Sequence, residues 1–212
     1  MTPDTPRILV LGVGNPLMGD DGIGPRVVEM LRAGYRFPNH VDVVDAGTMS
    51  FMILDLLRDI DRLIVIDAVN HTEHPPGTVV VLSPEQIAPN EVKHSMHDIA
   101  LVDVLQAAAL IDRAPETTAI GVQIESIEEW VLELSGPVEA AVPVAAAAVL
   151  DTLRRIGVEP VPDDSADIDA QIIAAVRSYA PIPDSARQSK AVPTEPPKSD
   201  IPVEEASHLD GD

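Results

Sequence analysis

The sequence predicts an α/β fold: a three-layer sandwich with helices on both faces of a mostly parallel five-stranded sheet and one antiparallel strand at an edge. Three observations carry this reading. Short apolar runs alternate with segments of helical periodicity through residues 1–159. The strand-like runs are apolar throughout rather than at every second position, as in strands covered on both faces. The chain has 212 residues, 45% of them hydrophobic, enough for one sizeable core and too few for two average domains. Such alternation builds an open sheet with helices packed above and below it.

Residues 8–11, Ile-Leu-Val-Leu, form the first buried strand, and residues 12–19 a glycine-rich loop. A helix is expected from about residue 21 to 31, with Ile23, Val27, Met30 and Leu31 on one face and the acids Asp20 and Asp21 at its positive end. Residues 41–44 read as the second strand, 51–57 as a helix, and 63–66 as a third buried strand that ends in Asp67. Residues 78–82 are also strand-like, but only about ten residues separate them from the third strand, fewer than a parallel crossover needs, so this strand is placed antiparallel at an edge. Ser95 and Asp98 open a helix in a capping-box-like manner, and Ile99, Val102, Leu105 and Ala109 carry it to about residue 110. Residues 118–123 form the fifth strand. The last helix starts near Pro137, a good first-turn residue, and stops at Gly157.

From residue 160 the composition shifts: the last 53 residues hold eight prolines and eleven acids against four basic residues. This segment buries too little apolar surface to offset its ordering entropy, so residues 160–212 are expected to be a largely disordered acidic tail behind a single domain, residues 1–159. Within it, Ile168, Ile172, Ile173 and Val176 fall near helical spacing and predict one short helix over residues 167–178.

Composition removes several classes of function. Asp and Glu number 35 against 14 Lys and Arg, a formal charge of -21, and aromatics are 2% of the chain. Nucleic acid and anionic membrane are therefore repelled, and base-stacking platforms are nearly absent. With no cysteine there are no disulfides, thiolate metal sites or cysteine nucleophile, so any metal is held by His and carboxylate. No signal peptide is visible, and the alanine-rich stretch 140–150 is too short for a membrane span and is interrupted by Pro143. A soluble, cytoplasmic protein without membrane insertion is expected.

The loop G12-V-G14-N-P-L-M-G19-D20-D21-G22-I-G24 suggests a dinucleotide fingerprint, the alternative reading of this chain as a nucleotide-binding Rossmann-like protein. Its spacing departs from G-x-G-x-x-G, and Asp20 and Asp21 stand where a pyrophosphate would sit. Carboxylates there suit a cation. A helix N-cap explains one of the two acids, and the second is surplus. In open α/β sheets the ligand crevice lies beyond the carboxyl ends of the strands where strand order reverses, here between strands one and three. That places Asn15, Asp20 and Asp21 beside Asp67, a carboxylate that is costly to bury without a partner. His97, with His94 three residues earlier, opens the next helix. Carboxylates and one imidazole from three loops make an open O/O/N set for a divalent transition ion. Such a set either activates water or recognises a metal held by another molecule. In both cases the imidazole is neutral, so binding weakens as pH falls toward about 6.5. Asp45 and Thr48, and Glu125 and Ser126, could line the same edge, although turn chemistry explains the first pair equally well. Ser126 has no evident partner histidine, and His71 and His74 fall in a proline-flanked loop.

Residues 8–29, I-L-V-L-G-V-G-N-P-L-M-G-D-D-G-I-G-P-R-V-V-E, closely resemble the opening of the nickel-iron hydrogenase maturation proteases. D-A-G-T at 45–48, L-I-V-I-D-A at 63–68, H-D-I-A-L-V-D-V-L at 97–105 and G-V-Q-I-E-S-I-E at 121–128 follow in the family's order, so the resemblance spans about residues 7–158. It implies a hydrolase, an endopeptidase that removes a C-terminal extension from the hydrogenase large-subunit precursor after nickel insertion. It further implies that Asp21, Asp67 and His97 contact nickel presented by that substrate, with cadmium or zinc able to substitute. Asp21 and Asp67 become the candidate catalytic carboxylates, with aspartic-type and metal-dependent hydrolysis both open. Asn15, Asp45, Thr48 and Glu125 become candidate substrate contacts, and a monomer is expected. The rival from another class is a non-catalytic, metal-sensing chaperone of the large subunit.

Overall fold

The computed structural model describes residues 5–48, 53–70, 74–82 and 114–163. β1 (Ile8–Val13) is buried along its whole length and pairs in parallel with β3 (Val41–Gly47) on one side and β4 (Arg62–Val69) on the other. β6 (Glu116–Gln123) pairs in parallel with β4, and β5 (Val79–Leu82) closes the far edge antiparallel to β6. The sheet order is β3-β1-β4-β6-β5. The antiparallel edge strand expected from its short connection is therefore β5, and strand order reverses at β1, as the crevice argument requires.

Side chains along these strands divide by parity. Ile8 and Val10 of β1, Ile64 and Ile66 of β4 and Ile120 and Val122 of β6 enter one core with α1 (Ile23–Gly34) and the last helix, α3 (Gly136–Arg155). Leu9, Leu11 and Val13, Leu63 and Val65, and Ala119 point the other way, into a core closed by Leu57 of α2 (Ile53–Leu57) and by Ile60. Both faces are dry, which is why these strands read as unbroken apolar runs.

α1 lies unusually close to the sheet. A Cβ on Gly12 would stand 2.5 Å from the Gly24 carbonyl oxygen, and one on Gly24 would stand 2.7 Å from the Ile66 carbonyl oxygen and 2.6 Å from the Val13 amide nitrogen. Two bare glycines thus bring the first turn of α1 onto the carboxyl ends of β1 and β4.

α3 ends as Gly157 predicts. Gly157 adopts φ +84°, its amide donates to the Arg154 carbonyl at 3.0 Å, and the Val158 amide donates to the Leu153 carbonyl at 2.9 Å, a Schellman motif. Pro143, expected to interrupt the alanine-rich stretch, lies inside this continuous helix. An interior proline costs about 3 kcal/mol. Burial of Val138, Val142, Val149 and Leu150 offsets that, at about 1.5–3 kcal/mol per large side chain. By length and composition α3 is the one helix among the described residues able to cross a membrane, but over half of its apolar window is buried in this core.

Three boundaries differ from expectation. Asp20–Gly22 form a single 3-10 turn, and α1 begins only at Ile23. β4 runs on past Asp67 to Val69, paired with Gln123. The ordered body also continues beyond residue 159: β7 (Val161–Pro162) pairs antiparallel with β2 (Tyr35–Arg36), and the Asp163 amide donates to the Gly34 carbonyl at 2.8 Å. The Arg36 guanidinium donates to the Asp163 carboxylate at 2.9 Å, which raises its pKa above the usual value through that hydrogen bond and the facing charge. The helices expected over residues 95–110 and 167–178 lie outside the described residues, as do His71, His94 and His97.

Candidate active site

The sheet opens where β1 and β4 part. Their pairing ends at Gly12 and Ile66, whereas β4 stays paired with β6 through Val69 and Gln123. Asp67 is the first residue of β4 beyond β1, which puts it in the middle of a strand and at the place where β1 and β4 part. It is 3% exposed, and its Oδ1 accepts the Ala68 amide at 2.8 Å. A carboxylate so placed is shielded from bulk water, and charge interactions are strongest in such surroundings.

Asp21 reaches the same end of the sheet from the β1–α1 loop. Gly14 has φ +128°, and a Cβ there would collide with the Asp21 carbonyl oxygen, so only glycine lets the loop fold back on itself. The Asn15 amide donates to Asp21 Oδ2 at 2.7 Å. Asn15 Oδ1 in turn accepts the Leu17 amide at 3.0 Å, and the Asn15 carbonyl accepts the Met18 amide at 3.0 Å. Asn15 thus shapes the turn that presents Asp21. The 3-10 turn carrying Asp21 packs against β4, the strand of Asp67.

The two adjacent acids have different work. Asp20 is 2% exposed and its carboxylate accepts three hydrogen bonds: the Ser135 amide at 2.6 Å on Oδ1, and the Ser135 hydroxyl at 2.9 Å and the Glu125 amide at 3.0 Å on Oδ2. It braces the β6–α3 connection to the β1–α1 loop. Neither acid makes a side-chain helix cap, contrary to the capping role considered for one of them: the 3-10 turn and α1 start from Gly19 and Gly22 without one. Asp20 is engaged by three donors, whereas Asp21 accepts one hydrogen bond among the described residues. Sequence reasoning did not assign Asp20 this brace, nor Ser135 any role. The available signal was the redundancy of two acids where one cap sufficed.

The remaining candidates divide. Asp45, opposite Gly12 across the β1–β3 pair, is exposed and its Oδ1 accepts the Gly47 amide at 2.8 Å, a local turn bond. Thr48 follows, exposed, at the same end of β3. Glu125 is an exposed residue just past β6 whose backbone, rather than side chain, is engaged by Asp20. The Ser126 hydroxyl donates to Glu128 at 3.2 Å, which gives it no histidine partner. Among the described residues no three His, Asp or Glu side chains are grouped to hold a metal ion, and His97 is outside them.

A family model described as HycI, hydrogenase maturation protease, matches residues 25–152. The hydrogenase 2 maturation protease of Escherichia coli is 39% identical over 161 residues, covering 75% of this chain and 98% of that protein. The chain belongs to the hydrogenase maturation protease family. The hydrogenase expression/formation protein HupD of Rhizobium leguminosarum is 36% identical over 159 residues, covering 74% of this chain and 78% of that protein. Among solved structures, the hydrogenase-maturating endopeptidase HybD from E. coli superposes with a TM-score of 0.65 at 38% identity, covering 76% of this chain and 99% of HybD. Maturation proteases are hydrolases of the endopeptidase class, and this chain carries their fold. The nucleotide-binding alternative falls with this assignment.

Proposed function

We propose that this endopeptidase removes a C-terminal extension from the large-subunit precursor of a nickel-iron hydrogenase once nickel is in place, and that Asp21, Asp67 and His97 engage the nickel held by that precursor. The single observation that carries the reading is that the 3-10 turn of Asp21 packs on β4, the strand in which Asp67 is the first residue past the end of β1. Saturation of Asp20 by three donors supports Asp21 as the acid that faces the ion. Asp21 makes one hydrogen bond among the described residues, on Oδ2 alone, and so keeps an oxygen for it. His97 enters through the resemblance of residues 97–105 to the family.

Two carboxylate oxygens and one imidazole nitrogen complete a coordination sphere rather than fill one, which suits an ion that arrives with ligands of its own. Docking is then conditional on nickel, and the scissile peptide is brought to the crevice by the same contact, where proximity supplies much of the rate. For hydrolysis, a water oxygen adds to the scissile carbonyl carbon while a carboxylate, Asp21 or Asp67, accepts its proton. The C–N bond then breaks as that proton passes to the leaving amine.

The test is to incubate nickel-loaded and nickel-free precursor with the protein and weigh the products by mass spectrometry. Cleavage of the loaded form alone is expected, and Asp67→Asn should abolish it while leaving the far-ultraviolet dichroism unchanged. Equal cleavage of both forms contradicts metal recognition. Binding of the loaded form without cleavage favours the chaperone reading.

A further inference from the structure

Among the described residues four large apolar side chains are exposed, and three of them, Leu17 (46%), Trp130 (82%) and Leu132 (66%), lie on two loops that grip each other. The Trp130 amide donates to the Leu17 carbonyl and the Gly19 amide to the Val131 carbonyl, both at 2.8 Å, with bridges between Met18 and Val131 and between Gly19 and Ile127. Trp130 is the chain's sole tryptophan, and its φ is +65°, a conformation that a bulky residue adopts only under constraint. Folding gains nothing from holding an indole in water; recognition does, because tryptophan is the side chain most often found at the energetic centre of interfaces.

Between the same loops lies a depression of about 220 Å³ lined by Glu128 and Glu133 beside Val131 and Leu134. Glu125, Glu128, Glu129 and Glu133 are all exposed. None of the four has an ion-pair partner among the described residues. The first loop runs directly into Asp20 and Asp21, and Asp20 bonds the second through Glu125 and Ser135, so this surface is continuous with the crevice.

Resting on the proposed function, we infer that this surface docks the precursor protein outside the cleavage crevice. It takes a segment that sets a Lys or Arg side chain between Glu128 and Glu133 and an apolar side chain against Trp130 and Leu132. The unpaired carboxylates select the cation, and the indole face offers it a further attraction. An aliphatic or aromatic neighbour covers the exposed apolar area. A protease with one client bond to cut gains specificity from such a second contact, because a crevice that reads one ion and one peptide buries less than a stable protein complex needs. The braced loops keep the surface rigid, which lowers the entropy lost on docking.

The experiment uses the full chain labelled with 5-fluorotryptophan, whose spectrum holds one resonance, from Trp130. Unlabelled nickel-loaded precursor is added, and processing kinetics are followed for wild type, Trp130→Ser and Glu128→Lys/Glu133→Lys. The expected result is a shifted resonance on mixing, a KM raised about tenfold or more by each variant with kcat within about twofold, and a wild-type KM that rises with salt. An unmoved resonance with unchanged KM in variants that still process overturns the docking surface and leaves the proposed function standing. A shifted resonance without any processing upholds the surface and overturns the proteolytic reading. Neither binding nor processing by wild type overturns both. Loss of self-association in Trp130→Ser at unchanged KM overturns it in favour of a contact between copies of this chain.

Discussion

Replacing Asp20 with Ala tests the brace between the two loops beside the crevice. The wild-type carboxylate accepts two backbone amides and one hydroxyl at 2.6–3.0 Å while 2% exposed. Hydrogen bonds to a charged group contribute about 1.5–3 kcal/mol each, and a buried donor left without an acceptor costs about 1–3 kcal/mol. Against this, the variant no longer has to desolvate a carboxylate. With the Ser135 hydroxyl free to turn to water, the balance is a loss of about 3–5 kcal/mol. A domain of this size loses about 2–4 °C per kcal/mol, so the thermal midpoint should fall by roughly 6–20 °C. Ser135→Ala removes the hydroxyl donor alone and should cost about 1 kcal/mol. Calorimetry on the three proteins measures both numbers. An Asp20→Ala midpoint within about 2 °C of wild type, the scatter of an ordinary surface change, would refute the brace.

Three further outcomes follow from the fold and the crevice. Gly24→Ala drives a methyl onto the backbone of Val13 and Ile66, so it should cost more than about 3 kcal/mol in a urea titration, while Gly136→Ala, which meets nothing within 4 Å, should be near neutral. A chain ending at residue 159 loses the β2–β7 pair and the Arg36–Asp163 bridge, and should unfold at lower denaturant than one ending at residue 163. Processing should decline as the pH falls, because a protonated His97 imidazole carries no lone pair for the ion, and His97→Gln should remove that limb of the profile.

Much of the fold could be read from the chain because both faces of the sheet are covered. Ile8 to Leu11 alternate between two dry cores, leaving no polar positions to blur the strand, and the short link before Val79 forced β5 antiparallel. Where strands stop was harder to read, because stopping depends on neighbours: β4 outlasts β1 only because β6 continues beside it, a fact of register rather than of residue type. The two-residue β2–β7 pair has no periodicity to detect, and the proline content around Val161 pointed away from order. At the site, composition and spacing identified two acids at the head of a helix without dividing their labour, and only the family resemblance singled out Asp21. The difference between Asp20 and Asp21 lies in Ser135, 115 residues away from Asp20. Asp45 shows the converse, since its side chain closes a turn that its own neighbours fully explain.

Calorimetric titration of the purified chain with cadmium, alongside Asp21→Ala, Asp67→Ala and His97→Ala, tests most directly whether three distant segments serve a single ion. One binding event is expected in wild type, weakened at least about tenfold by each substitution, since losing a ligand costs no less than losing an outer partner. Wild-type affinity in any one of the three variants would contradict it.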